Sequence, residues 1–509
     1  MFVRKKRNKS GSVSVQIVDK SDGYRVVETV GSSKTQDKID FFFRKAQHAI
    51  RTCGGKQSEL FSFKTPEESV VRRFLGELSN AQIRVIGPEL VFGTLFDRLG
   101  FGAIPEPLFR HIVIARLAHP VSKVKTVDYL YRYQGITVEV NGIYRFLDKL
   151  KDTYKDAVER LAFEYSRGVL GHISVVFYDM TTLYFEAEDE DDFRKVGFSK
   201  DGKFQHPQIM LGLLVGEKGY PIGYDIFEGN VFEGHTLLPA LDKIRQKYGL
   251  GRPVVVADAG LLSRDNLKLL VAEGYSFILG ARIKNESDAS KDKILKQAKR
   301  IKDQQGFDLQ RVDGNRLIVT YSDQRRKKDA YGRERGLVRL RQKIKSGTLS
   351  KEHINNRGYN KFLTLKGRVE ISIDEAKVKQ DSLWDGLKGY ITNTELSVEK
   401  VVENYRQLWR IEKAFRISKT DLRIRPVYHY RRKRIEAHIC IAFVAYTIYK
   451  ELERLLEQGR AGFSPKRAAE LTHTMYALDH QPTDGSNAER VILKMDPDQQ
   501  VLYNIVQKG

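Results

Sequence analysis

Cysteine is nearly absent: the 509 residues contain only Cys53 and Cys440. Two thiols so far apart exclude a disulfide framework and a cysteine-based zinc site, and they suit a reducing cytosol. Long apolar runs are missing as well. The most apolar helical stretch, residues 439–449, falls well short of the roughly 20 residues a bilayer-spanning helix needs. It predicts a buried core helix and no membrane partner. The first residues are basic, but no apolar segment follows, which argues against a secretory signal there. No internal repeat is visible. The acidic run 186–192 is the sole low-complexity segment and reads as a solvated loop. His206, His235, His429 and His438 have no metal-type spacing with one another and read as structural or phosphate-side residues.

Acidic residues are outnumbered, 65 against 88 Lys and Arg, giving a formal charge of +23 and a pI near 9.6. Such a field attracts polyanions, of which nucleic acid is the usual one. The length allows about two to four domains. In residues 1–170, alternating runs at 13–18 and 24–30 around Asp22-Gly23 predict a β-hairpin. Helical periodicity follows to about residue 170, broken at Gly100, Pro105, Pro107, Pro120 and Gly135. Arg110, Arg116, Lys123, Lys125, Arg132 and Arg145 stud this mostly helical region, which suits a DNA reader, although a plain helical bundle has the same pattern.

Residues 171–281 change character. Strand-like runs at 173–179, 208–216 and 220–228 precede a helix at 236–248, an all-apolar strand at 253–258, a helix capped by Ser263 and a strand at 275–281. This is the order of an α/β, ribonuclease H-like catalytic domain with a mixed five-stranded sheet. In that layout the first and fourth strands are neighbours, so Asp179 and Asp258 meet at adjacent strand ends. Residues 282–397 interrupt it as an inserted subdomain, with charged helices at 284–302 and 325–345 and β-type pieces at 317–321, 361–365 and 389–393. The catalytic domain resumes over 398–458, where Ser397 caps a helix and a long apolar helix spans 435–456. The tail, 459–509, carries no usable signal.

The helix after Ser397 holds Tyr405, Glu412 and Lys419, seven residues apart. Seven positions fall about 20° short of two turns, so the three share one face. A carboxylate between a phenol and an ammonium suits a phosphodiester: the acid holds a cation and the other two reach phosphate oxygens. Each acid has an ordinary reading alone. Asp179 and Asp258 can simply end strands, and Glu412 can pair with Lys413 or Arg416. Together they suggest one metal site. Leu408, Ile411 and Phe415 follow the spacing of a buried face; Trp409 could stack a flipped base, but core packing is expected. Trp384 is a stacking candidate. Thr181 and Thr182 are placed to hold Asp179.

At these residues the chain resembles bacterial insertion-sequence transposases of the DDE class, in the IS-four superfamily, whose signature is Tyr-x2-Arg-x3-Glu-x6-Lys. Tyr405, Glu412 and Lys419 match, while Leu408 stands at the Arg position and leaves open whether Arg406 or Arg410 takes that phosphate contact. Similar wording surrounds Asp179 (Tyr178-Asp-Met-Thr-Thr182), Asp258 (Val256-Ala-Asp-Ala-Gly260) and residues 421–438. The resemblance implies DNA cleavage and strand transfer at the ends of a mobile element. It implies two Mg²⁺ ions, with Mn²⁺ able to substitute, held by Asp179, Asp258 and Glu412, and phosphates gripped by Tyr405, Lys419, Arg406 and Arg410. Its partners would be double-stranded DNA with terminal inverted repeats and a target DNA, bound by a homodimer in a bacterial cytoplasm. The competing readings are a catalytically inactive DNA-binding descendant and a ribonuclease H-like nuclease that cuts without joining. A basic RNA-binding protein would leave the spaced carboxylates unexplained.

Overall fold

The computed structural model describes residues 1–21, 23–52, 76, 78–261, 263–355, 358–366, 370–480 and 489–509. Cys53 lies outside them. Two compact units are present, Met1–Gln82 and Ile83–Gly509.

In the first unit, strands β1 (Phe2–Arg7), β2 (Val13–Asp19) and β3 (Arg25–Ser33) form an antiparallel sheet in that order. The expected hairpin thus gains a third strand. Four consecutive cations hide its alternation, but Val3 still packs against the core and Lys5 reaches across to Asp40 at 2.8 Å. The helix Gln36–Thr52 covers the sheet through Ile39, Ala46 and Ala49, which meet Val15 and Ile17.

The second unit begins with strand β4 (Ile83–Val85) and a run of helices that includes Pro107–Ala118, Val140–Lys149 and Lys155–Leu170. The central sheet then starts with β5 (Val175–Tyr184), β6 (Gln208–Val215) and β7 (Pro221–Glu228), an antiparallel series. The helix Leu237–Tyr248 leads to β8 (Val254–Ala257), and the helix Arg264–Ala272 to β9 (Phe277–Ala281). β8 lies parallel between β5 and β9, so the first and fourth strands of this series are neighbours, as the sequence order implies.

The sheet does not stop at five strands. Strands β10 (Gly306–Gln310), β11 (Arg316–Tyr321) and β14 (Leu387–Thr392) extend it to eight, in the order β10-β11-β14-β9-β8-β5-β6-β7. β14 pairs antiparallel with β9, from Gly389↔Ala281 to Thr392↔Ile278. Residues 282–397 therefore both extend the catalytic sheet and build a small outlying layer. That layer is the helix Asp323–Lys345 packed on the two-stranded ribbon of β12 (Leu363–Lys366) and β13 (Glu370–Ile373).

Alternate strand residues point to opposite faces, as the pleat requires. Val176, Tyr178, Val255 and Phe277 meet the helices Leu237–Tyr248 and Arg264–Ala272 on one side. Phe177, Val256 and Ile278 meet the segment Trp409–Arg416 and the helix Arg432–Gln458 on the other. That long helix is buried through most of its length, from Ile435 to Leu456, between the sheet and the earlier helices. In the tail, β15 (Tyr476–His480) pairs with β4 on one side and with β16 (Glu489–Ile492) on the other, and the helix Pro497–Lys508 buries Leu502 and Val506. Among the described residues no helix is long and apolar enough to cross a membrane.

Candidate active site

The parallel pairing of β5 with β8 ends at Tyr178↔Ala257, so the next residue on each strand is acidic: Asp179 and Asp258. Asp258 lies just beyond β8. Asp179 does not end its strand as expected, because Met180 to Tyr184 stay paired with β6 after β8 has stopped. Asp179 Oδ1 accepts from the Met180 N–H at 2.7 Å, and Asp258 Oδ1 from the Ala259 N–H at 2.5 Å. Burial pushes the Asp179 carboxyl above the ordinary carboxylate range, and Glu233 and Asp258 push the same way against the opposing charge of Lys200.

Lys200 and Glu233 are neighbours that sequence reasoning missed. The Lys200 Nζ sits 2.9 Å from Glu233 Oε1, 3.6 Å from Asp179 Oδ1 and 2.6 Å from the Met180 carbonyl. Thr182 Oγ1 accepts from the Lys200 N–H at 3.1 Å, so that threonine holds the lysine's backbone and not Asp179. Glu233 lies in the turn Glu233–His235, between β7 and the following helix. No local pattern marks either residue; only the folded sheet brings both loops to β5 at Asp179.

The signature segment is not one straight helix. It consists of Val398–Arg406 and Trp409–Arg416, followed by a wide turn at Ile417–Asp421. Between the first two pieces the backbone tightens to bonds three residues back: Leu408 to Tyr405 at 3.1 Å, Arg410 to Gln407 at 2.9 Å and Ile411 to Leu408 at 3.1 Å. The seven-residue spacing thus passes through one tight and one wide turn, and its members diverge.

Tyr405 is buried and donates its hydroxyl to Asp258 Oδ1 at 3.3 Å. Burial and then Asp258 hold the phenol well above its usual range. Exposed Glu412 acts together with Asp258 on both Tyr405 and Lys388, whose Nζ lies 4.4 Å from the Tyr405 ring. Lys419 points elsewhere: it pairs with Asp201 at 3.1 Å, and Arg425 shares that carboxylate at 2.9 Å. Arg406 donates to Gln304 at 2.8 Å, and its charge bears on Lys388 and Tyr390 beside Asp258. Arg410 lines a separate groove with Lys413 and Lys450, its guanidinium 5.2 Å from the Trp409 ring. Trp409 is 51% exposed, so the expected core packing is corrected. Leu408, Ile411 and Phe415 take the buried face and turn Trp409 outward.

Asp258 and Tyr405 open onto a groove of about 430 Å³ also lined by Arg282, Arg325, Trp384 and Lys388. Gly280 on β9 forms its floor: a Cβ there would lie 2.5 Å from the Tyr405 hydroxyl and 2.9 Å from the Ala259 nitrogen. Among the described residues, no three His, Cys, Asp or Glu side chains converge as a ready-made metal cluster. Asp179 and Asp258 adjoin, and Glu412, on the segment packed over β5, acts with Asp258 on Lys388 and Tyr405.

The architecture is a large mixed α/β sheet with Asp179 and Asp258 side by side where two parallel strands part. A family profile described as "Transposase DDE domain" matches residues 171–448, and the chain belongs to that family. Among solved structures, the chain is similar to the piggyBac transposase synaptic complex with hairpin DNA, at 10% identity over 76% of each chain, with a TM-score of 0.38. It is also similar to the Mos1 transposase paired-end complex with left transposon end, at 10% identity over 46% of this chain and 71% of that one, with a TM-score of 0.16. The family assignment rests on the profile match and not on these alignments. No curated protein matches the chain.

Proposed function

We propose that this transposase cuts and rejoins phosphodiester bonds at the ends of a mobile DNA element, with Asp179, Asp258 and Glu412 as the acids that bind divalent magnesium. The parallel register of β5 and β8, which sets Asp179 beside Asp258 inside the family-matched segment, is the main support. The donors are hard carboxylate oxygens, which suit Mg²⁺. The Lys200 ammonium lodged between Asp179 and Glu233 marks a spot that already favours positive charge. Magnesium, when bound, supplies an activated water or 3′-hydroxyl and steadies the leaving oxygen.

The rest falls to the chain itself. Tyr405 orients Asp258 through its hydroxyl, and Gly280 keeps the space for that contact. Lys388, Arg325 and Arg406 present positive charge beside Asp258 and fit phosphate oxygens. Lys419, paired with Asp201, steadies the turn that carries Lys200, and it reaches a phosphate only by leaving that partner. The DNA would carry terminal inverted repeats held by a homodimer. The IS-four subfamily remains the resemblance that best accounts for Tyr405, Glu412 and Lys419.

The test combines purified protein, Mg²⁺ and linear DNA bearing the repeats that flank the coding region. Cutting at the repeat boundary and joining of the 3′ end to a second DNA are expected. Asp258→Ala should abolish both steps and leave repeat binding intact. Binding by the unaltered protein without any cutting would reduce the molecule to a DNA-binding descendant.

A further inference from the structure

The helix Asp323–Lys345 carries ten Lys and Arg against three acids within its 23 residues. Their distribution is uneven. At about 100° per residue, Lys327, Lys328, Arg335, Arg339 and Lys343 fall within an arc of about 160°, and Asp323, Asp329 and Glu334 all lie outside it. All five are exposed, and none makes an ion pair among the described residues. Tyr331, 66% exposed, stands in the same arc with the Arg335 guanidinium 5.7 Å from its ring.

The opposite side is fixed in place. Leu337 and Leu340 pack on Phe362 and Leu363, and a Cβ at Gly336 would strike the Tyr359 ring. Arg333 makes a two-pronged bond with Asp385 at 2.5 and 2.6 Å, and Asp329 accepts from the Gly386 N–H at 3.1 Å. These bonds tie the helix to the start of β14. Its first turn reaches the groove, where Arg325 lies beside Asp258 and Tyr405. From there the unpaired cations, from Lys327 to Lys343, extend about 24 Å along the helix axis, about two thirds of one turn of B-form DNA at about 34–36 Å.

We propose that this face is a track for the sugar–phosphate backbone of duplex DNA, gripping the helix turn that leads away from the scissile position regardless of its sequence. The proposal rests on the transposase reading for what lies at the groove, but not for the binding itself. The probe is a 40-base-pair duplex of mixed sequence, with a single strand of equal length beside it. Binding is followed against salt for the full chain, for K327Q/K328Q/R335Q/R339Q and for Asp258→Ala. Each phosphate contact contributes about 0.9 to the slope of log affinity against log salt. The fourfold variant should lose about 3 to 4 from that slope on duplex and keep the unaltered melting temperature, since Gln is a good helix former. R339Q/K343Q, a milder pair, should lose about 2. An unchanged slope in both variants overturns the track, and a loss confined to the single strand overturns the duplex assignment. Asp258→Ala should keep the full slope. Should the unaltered protein cut nothing while the fourfold variant loses its slope, the track stands and the catalytic reading falls.

Discussion

Gly280 has no room for a side chain, because the Tyr405 hydroxyl and the Ala259 backbone stand where a Cβ would go. Gly280→Ala should therefore displace the tyrosine from Asp258 and lower cutting by about 10²-fold, the usual scale for a misplacement of about 1 Å, with DNA affinity unchanged in a filter-binding assay. His429 and His438 make a second case. Burial, then the charges of Lys123 and Arg116, hold the His429 imidazole down at about 3, and the same surroundings depress His438. A base depressed on folding gives stability that is complete above its unfolded value of about 6.5 and is lost as pH falls toward the folded one. Unfolding free energies from urea titrations between pH 7 and 4 should fall by up to ~1.4 kcal/mol per pH unit for each histidine. His429→Gln should flatten that decline. At this scale the sequence was legible where chemistry meets spacing, as in the matched contexts of Asp179 and Asp258. It was silent on Lys200–Glu233 and Lys419–Asp201, because those partners are joined only by the folded sheet.

Among the elements, β6, β8 and β9 were readable because nearly unbroken apolar runs bounded by glycine and turn residues leave little choice. The bend at Gln407 and Leu408 was not: neither glycine nor proline marks it, and it arises from backbone bonds tightening around a buried leucine. The outward turn of Trp409 follows from the same segment, where neighbours one position away won the buried face. β10, β11 and β14 escaped as members of the central sheet because their pairing spans long stretches of chain. The anchoring of the helix Asp323–Lys345 gives a prediction of its own. Asp385→Ala leaves the Arg333 guanidinium, 12% exposed, without its counter-charge. Losing such a part-buried, charge-assisted pair costs about 1.5–3 kcal/mol. Amide exchange should accelerate along residues 323–345 while the strands β5, β6 and β8 stay protected.

For the molecule as a whole, none of the eight strands of the central sheet comes from residues 1–82. A chain beginning at residue 83 should keep a single cooperative melt near the temperature of the full protein, followed by circular dichroism. The lost signal should include that of the first three strands and their helix. The bulk charge of +23 was the clearest whole-molecule signal in the sequence, but composition alone cannot say which surface bears it unpaired. On the helix Asp323–Lys345, Arg333 and Arg341 have acidic partners, while Lys327, Lys328, Arg335, Arg339 and Lys343 have none among the described residues. The bonding of β14 to β9 has a mechanical consequence. A joint between the outlying layer and the acids would let a tug on bound DNA dissipate in bending. Here the contacts of Arg333 with Asp385 and of Asp329 with Gly386 hand load to the start of β14, and the backbone bonds of β14 to β9 would carry it on toward Gly280.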